Sequence, residues 1–93
     1  MKRPNIPTKL RQKLWGSPCV ICGNGDIEID HIIPVIFGGK TITENLQPLC
    51  KYHNRRKHGF CKKFKRPVTN EEVKNLCDYY NKYPRLYIAL RIQ

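Results

Sequence analysis

A chain of 93 residues with 18 Lys+Arg against 7 Asp+Glu, a formal charge of +11, has the size of one domain and a core thin enough to lean on a metal or a partner. That excludes two-lobed architectures and large enclosed substrate cavities, and it favours a polyanion as partner. Apolar runs at 32–37 and 86–90 are too short to cross a bilayer, and the basic N-terminus lacks the apolar stretch of a secretory signal. No membrane association is therefore expected. The expected setting is cytoplasmic, nucleoid-associated or phage-encoded, where the five cysteines stay reduced and favour metal over disulfides.

In chain order, residues 1–7 hold two prolines and read as a basic arm. Thr8 is the expected cap of a short helix over 9–15, with Leu10 and Leu14 on one face, ended by Gly16-Ser17-Pro18. Residues 19–25, with Cys19, Cys22, Gly23 and Gly25, predict a tight knuckle. Residues 27–30 alternate apolar and polar, as a half-buried strand does. A loop over 32–44, punctuated by Pro34 and Gly38-Gly39, leads to an extended segment at 45–49, where Pro48 keeps Gln47 out of helix. Residues 50–58 predict a helix with Gly59 as its stop. Thr69 and Glu72 form a capping box opening a helix to about Lys82, with Val73, Leu76, Cys77 and Tyr80 on one face and Pro84 as its breaker. Residues 86–92 fit a strand or a last helical turn equally well.

Cys19-x-x-Cys22 and Cys50-x-x-His53 form two metal half-sites, 27 residues apart. Zinc takes four tetrahedral sulfur or nitrogen ligands, and a two-residue spacer lets both side chains of a half-site reach one ion. Such an ion would clamp the knuckle to the later helix and supply much of the folding free energy. Cys61 is a rival fourth ligand with poorer spacing. The plainer reading makes Cys77 a small core residue and Cys61 incidental.

Between and after the half-sites lie Ile27-Glu28-Ile29-Asp30-His31-Ile32-Ile33-Pro34, Gly38-Gly39, Asn45-Leu46-Gln47-Pro48-Leu49-Cys50 and His53-Asn54-Arg55-Arg56-Lys57. This series resembles the HNH endonuclease family, in its zinc-knuckle branch. The resemblance implies an α+β fold: a small ββα-metal, treble-clef-like core with structural zinc and flanking helices. The motif core would span about 19–59 of a single domain over 1–93, with an arm and helix at 1–16 and a helical extension at 60–93. It implies hydrolysis of DNA phosphodiester bonds, leaving a 5′-phosphate and a 3′-hydroxyl. In that chemistry Asp30 and Asn54 supply oxygen ligands to Mg²⁺ or Mn²⁺, which as hard cations prefer them. His31 is the general base, its imidazole neutral near pH 7. Asn45 would hydrogen-bond the loop backbone near His31 and fix its aim. His58, one helical turn after Asn54, is a further candidate ligand. The chain departs from the commonest family pattern at His53, where many members have Cys, and at Asn54, where the family name implies His.

Asp30 and His31 are adjacent, and neighbours on a regular strand face opposite ways, so the backbone is expected to bend where the loop begins. Arg55, Arg56 and Lys57, extended by Lys62, Lys63, Lys65 and Arg66, form the expected phosphate-contacting strip on duplex DNA, with Phe60 and Phe64 packed beneath it. About six phosphate contacts would give a slope of log K against log salt near −5. Phosphate contacts carry little sequence choice, and a double-strand break would need a homodimer, a larger partner or two encounters. The rival reading is a non-catalytic zinc-knuckle adaptor for nucleic acid. It accounts for the half-sites and the charge but not for Asp30, His31, Asn45 and Asn54.

Overall fold

The computed structural model describes residues 6–92, so most of the expected N-terminal arm lies outside the described residues. It is a small α+β fold: helix α1 (Thr8–Leu14), strands β1 (Ile27–His31) and β2 (Leu46–Cys50), and helices α2 (Lys51–Phe64), α3 (Asn70–Lys82) and α4 (Pro84–Ile92). The two strands form one antiparallel hairpin, pairing Ile27 with Cys50, Ile29 with Pro48, Asp30 with Gln47 and His31 with Leu46. The long loop between them contains two single 3-10 turns, at Val35–Phe37 and Thr43–Asn45.

Each element has a local cause. The knuckle closes through Gly23 N–H to the Cys19 carbonyl at 2.8 Å, and it is sewn to β2 by Val20 N–H to the Pro48 carbonyl at 3.1 Å. The Gly38-Gly39 pair has two separate jobs. Gly38 ends its 3-10 turn in the left-handed region at φ 89°, and a Cβ on Gly39 would overlap the Ile33 carbonyl. The capping box stands as expected, with Thr69 Oγ1 accepting from Glu72 N–H at 3.1 Å and Glu72 accepting from Thr69 N–H at 3.2 Å.

Three local expectations are corrected. The N-cap of α1 is Pro7, and Thr8 already belongs to the helix with no side-chain cap. Gly59 does not stop α2, which runs on to Phe64 and ends at Lys65 in the left-handed region at φ 56°. The reason is tertiary: a mid-helix glycine costs about 1 kcal/mol, whereas continuing the helix buries Phe60 and Cys61 against Val68, Val73 and Cys77. Burying a Phe alone is worth about 1.5–3 kcal/mol. The ambiguous tail is helix α4, with Pro84 as its first residue, where the missing N–H costs nothing.

The core has two parts. One gathers Cys19, Leu49 and Cys50 under the hairpin, and the other packs α2 against α3 and α4 around Phe60. Cys61 and Cys77 both lie in the second, so Cys61 is a core residue, not an incidental one. Among the described residues, no helix is long and apolar enough to cross a membrane.

Candidate functional site

At the start of α2 the two half-sites meet. The ligand atoms of Cys19, Cys22, Cys50 and His53 all lie within 4.8 Å of one another. Cys22 Sγ is 3.7 Å from Cys50 Sγ, Cys19 Sγ is 3.8 Å from His53 Nδ1, and Cys50 Sγ is 3.2 Å from His53 Nδ1. With zinc–sulfur bonds of about 2.3 Å and zinc–nitrogen bonds of about 2.0–2.1 Å, tetrahedral edges should be roughly 3.5–3.8 Å. The cluster therefore has the dimensions of a Cys3His metal site, with His53 offering Nδ1. Cys50 is also the N-cap of α2, its sulfur accepting from His53 N–H at 3.4 Å.

Burial pushes the Cys50 thiol up to about 11, so without metal it keeps its proton. Burial also raises Cys19, but backbone N–H groups of Cys50, Cys22 and Ile21 outweigh it and the net shift is downward. Burial moves His53 down, which keeps the ring neutral, the form that binds a metal.

The face of β1 carrying Glu28 and Asp30 lies against α2. Asn54 Nδ2 donates to Glu28 Oε1 at 2.9 Å. One turn later, Lys57 Nζ meets Asp30 Oδ2 at 2.6 Å. The same ammonium donates to the carbonyls of His31 at 2.7 Å and Ile32 at 3.0 Å. Consecutive carbonyls of an extended strand point opposite ways, so their convergence on one nitrogen marks the bend after His31.

Lys57 is 2 % exposed and Asp30 5 %. Lys57 is therefore not a phosphate contact, as the sequence had suggested, but the buried partner of Asp30 and a clamp on the strand end. Removing one partner of a buried ion pair strands the other charge, at a cost of about 3–5 kcal/mol. Lys57→Met is expected to lose stability of that order, measured as a lower denaturant midpoint at unchanged slope.

Arg56 is also corrected. Its guanidinium carbon sits 3.8 Å from the centre of the Tyr87 ring and 5.1 Å from that of Tyr52, so it is stacked between rings of α4 and α2 instead of reaching outward. Arg55 and Lys62 are exposed, and Lys63 is half-buried. Lys62, Lys63 and Lys65 rim an open groove of about 470 Å³ floored by Phe60 and Tyr87. Phe60 is buried, as expected beneath the strip, and Phe64 is partly exposed.

Asp30 has a second support that sequence reading missed. Gln47, its cross-strand neighbour, donates Nε2 to Asp30 Oδ2 at 2.9 Å. Gln47 and Asn70 then exchange two hydrogen bonds, at 3.0 and 2.6 Å. The first residue of α3 is thereby tied to the carboxylate. The register and the helix start together would have pointed to Gln47 and Asn70.

On the loop side, the His31 ring nitrogen Nε2 is 2.9 Å from Thr41 Oγ1. Asn45 binds the loop three times: Oδ1 accepts from Ile33 N–H at 2.8 Å, and Nδ2 donates to the Ile33 and Lys40 carbonyls at 3.0 and 2.8 Å. His58, one turn beyond Asn54, is exposed and is not part of the Cys3His cluster. Asn54 is 4 % exposed, and its Oδ1 is buried with no hydrogen-bond partner.

A two-strand hairpin laid on a helix whose first turn carries half of a Cys3His site defines a zinc-knuckle ββα-metal fold. Residues 19–60 match the family model described as HNH endonuclease. That family is one of nucleases, and the match points to a nuclease or nucleic-acid-related function. No curated protein matches the chain.

Proposed function

We propose that the chain is a DNA endonuclease that hydrolyses phosphodiester bonds with Mg²⁺ or Mn²⁺, while Zn²⁺ in the Cys3His site acts as a structural anchor only. The observation that carries this reading is Asn54 Oδ1. A buried amide oxygen without a donor costs about 1–3 kcal/mol, and it lies on the helix face packed against two strand carboxylates. A hard cation is the partner such an oxygen suits. Asp30 and Asn54 would hold it. Lys57 and Gln47 both bind Asp30 Oδ2, so Oδ1 is the oxygen left to offer. Bound there, the ion would neutralise charge building on the phosphoryl oxygens and ease departure of the leaving oxygen.

The chain's own groups supply the rest. The His31 imidazole, held through Nε2 by Thr41 Oγ1, takes the proton from the attacking water. Asn45 fixes the loop that carries Thr41, and Lys57 fixes the bend that carries His31. Both neighbours therefore aim the imidazole. Arg55, Lys62 and Lys63 bind phosphates along the duplex with little sequence preference.

Purified zinc-loaded protein should nick supercoiled plasmid when Mg²⁺ is added, and EDTA should stop the reaction. Retained DNA binding without nicking under any divalent ion would instead support the zinc-knuckle adaptor. With Arg56 and Lys57 turned inward, the docking strip shrinks to about four phosphate contacts, and the salt slope should be near −4 on duplex DNA. Filter binding across a range of salt measures it. A flat dependence would remove the strip as the docking surface.

A further inference from the structure

The two ends of the Asn54 side chain have different fates: Nδ2 is held by Glu28 and Oδ1 has no protein partner. Rotating the amide by half a turn would swap them, setting an oxygen against a carboxylate oxygen and turning the N–H₂ group toward the place the oxygen had held. Glu28 therefore permits one of the two orientations. We propose that Glu28 is a positioning residue, which locks the Asn54 amide with its oxygen presented to a divalent cation. This rests on the reading above that Asn54 is a ligand of such an ion.

Glu28 lies two residues before Asp30, so strand alternation puts both carboxylates on the face packed against α2. Their environments differ. Asp30 is buried and engaged by Lys57 and Gln47, whereas Glu28 is exposed. An exposed carboxylate bonded to an amide adds little to stability. Its effect is on orientation, the part that outer-shell groups play at metal sites, where their removal typically weakens metal binding by about 10–100-fold.

The test is Mn²⁺ binding to the zinc-loaded full chain, followed by the loss of the free-ion EPR signal, in five proteins: the natural sequence, Glu28→Ala, Asn54→Asp, the double variant and Asn54→Ala. A carboxylate at position 54 presents an oxygen whichever way it is turned, so it has no need of an orienting partner. Glu28→Ala should weaken Mn²⁺ binding by about 10-fold or more beside Asn54, and cause no loss in the Asn54→Asp background. Equal losses in both backgrounds would make Glu28 a ligand or a mere attracting charge and overturn the positioning role. No loss beside Asn54 would overturn it too. Failure of the underlying reading has its own signature: Asn54→Ala would then bind Mn²⁺ as the natural chain does, or neither would bind it.

Discussion

His31→Ala is expected to lower plasmid nicking by about 10²–10⁴-fold, the usual contribution of a positioned general base. The loss should fall on turnover, with DNA affinity unchanged, because His31 ends β1 and the side chains proposed to bind phosphate lie on α2. Folding should survive. The ring bonds Thr41 on the loop, whereas the anchoring of the strand end runs through the His31 backbone carbonyl and Lys57. Single-turnover nicking beside a thermal melt separates the two effects. A variant that nicks at the natural rate would remove His31 from the chemistry.

Loss of the zinc anchor is expected to have the largest effect on stability. Structural zinc in small domains contributes about 10–16 kcal/mol of apparent binding free energy, comparable to or above the whole stability of an ordinary domain at about 5–15 kcal/mol. Here the anchor joins the knuckle to the junction of β2 and α2, and the core beneath that junction is small: among the described residues it is Cys19, Leu49 and Cys50 with Ile21 and Ile27 at its edge. Cys22→Ser, or a strong chelator on the natural chain, should abolish cooperative unfolding and not merely shift its midpoint. Cys22 is exposed, so this substitution leaves no cavity and reports the ligand alone.

A pH dependence follows. Burial holds the Cys50 thiol near 11, so the metal-free site is protonated there at pH 7 and zinc must displace that proton. Calorimetry in buffers of different ionisation enthalpy should show proton release on loading, and affinity should fall as pH falls. His53 opposes this weakly, since its lowered value keeps the ring neutral further into acid than an ordinary histidine.

What could be read in advance follows from where the information lies. Cys19, Cys22, Cys50 and His53 announce themselves because ligand chemistry is a property of residue type and short spacing, and the structure brings their ligand atoms together. Asn45 was expected to bind the loop backbone, and it binds the loop at Ile33 and Lys40. Lys57 was misread because a lysine inside a stretch, 51–66, that holds eight Lys and Arg and no Asp or Glu looks solvated. Its burial depends on helix phase, which puts it one turn after Asn54 and opposite Asp30. Glu28, Gln47 and Asn70 were missed for the same kind of reason. Their roles exist only once the strand register and the start of α3 are fixed. Helix α4 stayed ambiguous because residues 86–92 are apolar at both a two-residue and a helical period, and packing on α2 and α3 decides between them.

The tie from Asn70 through Gln47 to Asp30 also gives residues beyond the HNH match a part in the site: the first turn of α3 supports the carboxylate from outside the matched segment. Removing α3 and α4 should therefore impair the site even where residues 19–60 are left whole.

Anomalous diffraction from crystals of the zinc-loaded chain soaked in Mn²⁺, with data above and below the zinc edge, addresses the arrangement as a whole. Two separate peaks are expected. One should be zinc, bonded to Cys19, Cys22, Cys50 and His53 Nδ1, and the other manganese, in bonding contact with Asn54 Oδ1 and Asp30. Manganese found only in the Cys3His site, or bound away from Asn54 and Asp30, would contradict a two-ion nuclease.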